Sequence, residues 1–118
     1  MRPEEFCSYK LSMRLKARGF NEECDYYYTD NGLLSHVSNK NELLSGDLCS
    51  APIYQKALRW LRGKYKISAE PRFTSSGRWQ SCAMSLEKGW QEFFIGTHQT
   101  FEEAVEHGIN NVLDKQIF

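Results

Sequence analysis

The chain has only three prolines in 118 residues, and no apolar run approaches the roughly 18 to 20 residues needed to cross a bilayer. A membrane-spanning helix is therefore excluded from the reading. Residues 1 to 17 lack the apolar centre of a secretory signal, which predicts a cytoplasmic protein. Cysteine is sparse too: Cys7, Cys24, Cys49 and Cys82 stand far apart, with no C-x-x-C pair of the kind that zinc sites and redox motifs use. They are expected to be reduced thiols acting as small buried hydrophobes.

The signatures of catalysis are missing as well. No serine sits in a G-x-S-x-G turn, no glycine-rich loop precedes a helix, and no His/Glu spacing matches a metal site. Of the three histidines, His36, His98 and His107, only His107 has a predictable acidic neighbour, Glu103, one helical turn away. That spacing is first of all a helix-face ion pair. The acidic pairs Glu4-Glu5, Glu22-Glu23 and Glu102-Glu103 are adjacent in sequence, so their side chains diverge instead of converging on one substrate. Two of these pairs fall where a helix N-terminus favours negative charge. No catalytic residue, metal ligand or cofactor is assigned, and a non-catalytic protein is expected.

What is present is a core-forming composition. With 41% hydrophobic and 14% aromatic residues and equal numbers of acids and bases, the chain lies far from the disordered class. A chain of this length buries roughly two-thirds of its unfolded surface, so one compact domain over residues 1–118 is predicted.

The pattern predicts short elements in the order α-β-β-α-β-β-β-α. Pro3 opens a first helix over about residues 4 to 17, with Phe6, Tyr9, Met13 and Ala17 on one side and Leu11 and Leu15 beside them. Gly19 supplies a left-handed cap and Phe20 a contact back onto the last turn. Residues 24 to 29 and 33 to 38 form a hairpin about the turn Asp30-Asn31-Gly32. Residues 39 to 48 are left open between a loop and a weak third strand.

A second helix begins near Pro52, with Tyr54, Ala57, Leu58, Leu61 and Tyr65 as its buried stripe; it ends between residues 62 and 66, with Gly63 either interior or capping. Strands follow over 67 to 73, interrupted by Pro71, then 78 to 87, then 90 to 97. The middle one sets Cys82, Met84 and Leu86 on one face against Ser81, Ala83 and Ser85 on the other. Thr100 and Glu103 cap a third helix carrying Phe101, Ala104, Val105, Ile109, Val112 and Leu113 at helical spacing. The expected fold class is α+β: an antiparallel sheet of about four to five strands with helices on one face.

Several of these stretches also carry a resemblance. Leu-x-Ala-Arg-Gly-Phe at 15 to 20, Tyr-Tyr-x-x-x-Gly at 27 to 32, Ala-Pro-x-Tyr-x-x-x-Leu-x-Trp-Leu-Arg at 51 to 62 and Thr-Phe-Glu-Glu-Ala-Val-Glu-x-Gly-Ile at 100 to 109 resemble short uncharacterised bacterial proteins associated with mobile elements and phage. The resemblance spans most of the chain, and Gly63 departs from the charged helix former it implies there. It implies an accessory role and transfers no functional residue.

Charge and aromatics supply the candidate partners. Residues 19 to 55 hold one base against six acids; residues 56 to 78 hold Lys56, Arg59, Arg62, Lys64, Lys66, Arg72 and Arg78 against Glu70 alone. Together with Trp79, those seven cations form a candidate nucleic-acid or phosphate site able to hold phosphates and stack bases. A sequence pI near 6.8 is far below the range of dedicated nucleic-acid domains, which weighs against that reading. The leading expectation is instead a protein partner or homo-oligomer. Sixteen aromatics, among them Tyr26, Tyr27, Tyr28, Trp79, Trp90 and Phe94, exceed what a small core needs, and strand alternation turns some of them outward.

Overall fold

A computed structural model describes residues 2–115 of the chain and divides it into two compact units, Met1–Gln55 and Lys56–Phe118. The class is α+β, with three α-helices and small antiparallel sheets. The single sheet expected from the sequence is replaced by three: two of three strands and one of two.

In the first unit, residues Pro3–Glu5 form a 3-10 turn and α1 covers only Tyr9–Ala17. The expected helix over 4 to 17 is thus cut in two. Phe6 bridges Ile53, and the Cys7 N–H donates to the Pro52 carbonyl at 2.9 Å, holding this stretch extended. Ser8 then caps α1, its Oγ accepting from the Leu11 N–H at 3.1 Å. The buried face is Leu11, Ser12 and Leu15, whereas Ala17 is exposed; the expected Met13/Ala17 stripe is displaced by one helical position. Gly19 at φ 97° ends the helix, and the Phe20 N–H reaches back to the Leu15 carbonyl at 2.9 Å as Phe20 buries.

The hairpin forms as expected, with β1 at Cys24–Tyr28 and β2 at Leu34–Asn39 paired antiparallel. β3, only Cys49–Ser50, adds to the other edge of β1. Phe6 packs edge-on against Tyr26 and Tyr9 against Tyr28, while the Tyr28 hydroxyl donates to the Cys7 carbonyl at 2.7 Å.

Residues 39 to 48 are neither a plain loop nor a third strand. A 3-10 turn at Asn41–Leu43 is anchored by buried amides. The Asn41 amide donates to the Phe20 carbonyl and its oxygen accepts from the Ser50 N–H at 2.7 Å. Asn21 Oδ1 accepts from the Glu42 N–H at 2.9 Å, and Lys16 Nζ donates to the carbonyls of Leu44 at 3.0 Å and Leu48 at 2.6 Å. Asn39 completes the network, its amide reaching the Cys24, Tyr26 and Val37 carbonyls and its oxygen accepting from Ser50 Oγ at 2.5 Å. Burying polar groups is tolerable only with such partners.

α2 spans Tyr54–Tyr65, so Pro52 stands before the helix and Gly63 lies inside it. In the second unit it buries Ala57, Leu58 and Leu61 of the expected stripe together with Trp60, leaves Tyr65 half-buried, and exposes Arg59, Arg62 and Lys64. Lys66, at φ 57°, is the one non-glycine with positive φ among the described residues and turns the chain out of the helix.

The strand expected over 67 to 73 splits into β4, Ile67–Ser68, and β5, Arg72–Phe73, on either side of Pro71. The next also splits, into β6, Trp79–Gln80, and β7, Cys82–Ser85, because Ser81 leaves the ladder to donate its hydroxyl to the Ala104 carbonyl at 2.6 Å. β8 covers Trp90–Phe93. The sheet orders are β4-β7-β8 and β5-β6, so the expected meander is broken between two sheets.

α3 spans Phe101–Lys115 and buries Ala104, Val105, Gly108, Ile109, Val112 and Leu113. Thr100 Oγ1 accepts from the Glu103 N–H at 3.1 Å, the N-cap half of the expected capping box, and its hydroxyl donates to the Glu103 carboxylate at 3.1 Å. The four larger aliphatic side chains contribute about 2 kcal/mol each as buried surface.

Candidate docking surface

The site follows from how α3 meets β7. At Gly108 the helix carries no side chain, and an added Cβ would lie 3.6 Å from Ser81 Cβ and 3.7 Å from the Ala69 carbonyl. These are ordinary van der Waals separations, so the helix packs directly on this stretch, where Ser81, Ala83 and Ser85 are all buried. By alternation, Cys82 and Met84 on β7 face the other way, and Leu86 follows in the turn after the strand. Met84 is 37% exposed and Leu86 87%. The polar, small face of this strand is inside and its larger apolar face is outside.

Cross-strand register extends the outward face. Cys82 pairs with Phe93, Met84 with Gln91, and Ser68 with Met84. Arg72 lies over the Phe93 ring, its Cζ 4.7 Å from the centroid, and bonds Gln80 through Nε at 3.1 Å. The Cys82 thiol donates to the Glu70 carbonyl at 3.1 Å; burial pushes its pKa up, opposed by the nearby Arg72 charge. At one end of this face lies a groove of about 520 Å³ lined by Arg62, Lys66, Ile67, Ser68, Met84, Leu86 and Glu87. Three of its lining side chains are aliphatic, beside two cations and one carboxylate.

The eight residues singled out for nucleic acid are distributed differently. Arg62 and Lys66 share the groove; Arg62 also pairs with Glu70 at 3.1 Å, and Lys66 Nζ donates to the Gly63 carbonyl at 3.0 Å. Lys64 stands over the Trp60 and Tyr65 rings, with Nζ 5.6 and 5.5 Å from their centroids. Arg78 donates to Thr97 Oγ1 at 2.8 Å and to its carbonyl at 3.2 Å. Lys56 is half-buried and Arg59 exposed on α2. Trp79 is half-buried between Phe73 and Phe101, at centroid distances of 4.9 and 5.2 Å. These contacts engage Arg62, Lys64, Lys66, Arg72, Arg78 and the indole with neighbouring groups, and no aromatic ring lines the groove.

Sequence reasoning noted the two faces of residues 82 to 86 and missed which one is packed. The available signal was the small size of Ser81, Ala83 and Ser85, which suits a close-packed face. The remaining polar features are local. His98 and His107 lie with ring centroids 4.8 Å apart, and burial, with His98 beside it, holds the His107 pKa below its usual value. Among the described residues no cluster of three or more metal-binding side chains occurs, and no helix is long and apolar enough to cross a membrane. No family model, curated protein or solved structure matches the chain.

Proposed function

We propose that the chain is a docking module that binds a protein segment on the outward face of the β4-β7-β8 sheet. The observation that carries this reading is the inversion along residues 81 to 86, where Ser81, Ala83 and Ser85 are packed while Met84 on β7 and Leu86 in the turn after it are left to solvent. Exposed aliphatic side chains beside a groove are a recurrent mark of interaction surfaces. The groove's composition supports a particular chemistry. Ile67, Met84 and Leu86 suit a branched aliphatic side chain, and Arg62 and Lys66 suit carboxylates next to it. Its aliphatic lining, free of rings, favours a peptide over stacked bases.

Displayed random peptides selected on the wild type and then screened against Leu86→Asp provide the test. Sequences that need Leu86 and carry an aliphatic residue flanked by acids are expected. Selection that yields no Leu86-dependent sequence would remove the proposal. A labelled oligonucleotide retained at about 50 mM salt and released as salt rises would instead favour the basic stretch 56–78 as a nucleic-acid site.

A further inference from the structure

Resting on that docking reading, we infer that the occupant of the groove is a second copy of this chain, offering the Glu42-Leu43 corner of its first unit. The charge change coincides with the unit boundary. Met1–Gln55 carries six bases and eight acids, Lys56–Phe118 nine bases and seven acids. Within the first unit, Leu43 is 77% exposed, with the exposed carboxylates of Glu42 beside it and Asp47 four residues on. An aliphatic side chain between acids is the chemistry the groove asks for. Lys40 lies three residues from Leu43 as it does from Val37, but Leu43 has two acids within four residues, whereas Leu33 has one, Asp30, Ile95 one, Glu92, and Val37 none.

The corner is also held ready. The buried Asn41 amide, the Asn21 bond to the Glu42 N–H, and the two carbonyl bonds from Lys16 fix the backbone on both sides of Leu43. A side chain presented on such a pinned turn loses little freedom when it docks. On the receiving side, Lys66 has no carboxylate partner among the described residues, so its charge is available to Glu42 or Asp47 of the incoming copy. Leu43 would lie on Ile67 and Met84 beside Leu86. With one corner and one groove on each copy, a one-way contact continues into a ring or a filament, whereas a reciprocal exchange closes a two-fold dimer.

The test is sedimentation equilibrium of the full chain over a concentration series, with Leu43→Asp and Leu86→Asp as variants. Both side chains are largely exposed, so neither change reaches the core. The wild type is expected to rise above the 13.8 kDa monomer with concentration and to fall back as salt is added. Each variant alone stays monomeric. Their equimolar mixture forms a dimer and nothing larger, because one intact corner meets one intact groove. A mixture that stays monomeric, or a Leu43→Asp protein that still associates, overturns the corner-in-groove contact. A wild type monomeric up to about 1 mM overturns the second-copy occupant. If Leu86-dependent peptides are still selected in that case, the docking face itself stands with a foreign partner; if none are, both readings fall.

Discussion

Gly63→Ala is expected to stabilise the protein, by an amount that follows from the geometry of α2. Gly63 lies within the helix Tyr54–Tyr65, its φ is not positive, and a Cβ placed there meets no atom within 4 Å. The substitution therefore adds no clash and removes the glycine penalty of a helix interior, about 0.8 to 1.0 kcal/mol. For a chain of this size that corresponds to a rise of about 4 °C in Tm. Gly77→Ala is the matched control. It too has open space around it, but its φ is +80°, so alanine there costs about 1 to 2 kcal/mol. Thermal and urea unfolding of the two variants should move in opposite directions. Equal or reversed shifts would refute the assignment of a continuous helix through residue 63 and with it the placement of Arg62 and Lys66 at one groove.

Asn39→Ala should cost about 3 kcal/mol in urea unfolding, since it strips partners from buried carbonyls and from Ser50 Oγ at once; a loss below about 1 kcal/mol would show that water takes its place. Lys66→Gly relieves a left-handed lysine and should raise stability by up to about 1 kcal/mol while weakening peptide or self-docking, a divergence that a purely structural Lys66 would not produce. His107 has a folded pKa below the ordinary value near 6.5, through burial and the neighbouring His98, so the unfolded chain takes up its proton first on acidification. Its contribution to stability is present above about pH 6.5 and is lost as pH falls toward the folded value; the urea midpoint should drop between pH 7.5 and 5.5, and drop less in His107→Gln.

Local signals were the legible part of the fold. The Thr100–Glu103 cap, the Gly19 terminus and the Asp30-Asn31-Gly32 hairpin turn each involve groups a few residues apart, and each appears where the sequence places it. What the sequence did not disclose depends on distant partners. Phe6 and Cys7 leave the helical pattern because Ile53 and Pro52 pair with them, and Ser81 breaks a strand because the Ala104 carbonyl lies across from it. The fate of residues 39 to 48 was decided by Asn41 reaching Phe20 and Ser50. The surplus of base over residues 56 to 78 was visible, but composition could not show that two of its members border an aliphatic groove while others meet Thr97, Gln80 and aromatic rings. Outward placement of Met84 and Leu86 was hidden for a further reason: alternation defines two faces, and only the approach of α3 at Gly108 determines which of them is covered.

Docking on the outward sheet face is tested most directly by amide chemical-shift mapping of the labelled protein with an acidic, leucine-bearing peptide selected on it. The account predicts shifts concentrated at residues 66 to 68 and 84 to 87, abolished by Leu86→Asp. Shifts confined to the rest of α2 and the β5-β6 hairpin, or persisting unchanged in Leu86→Asp, would contradict it.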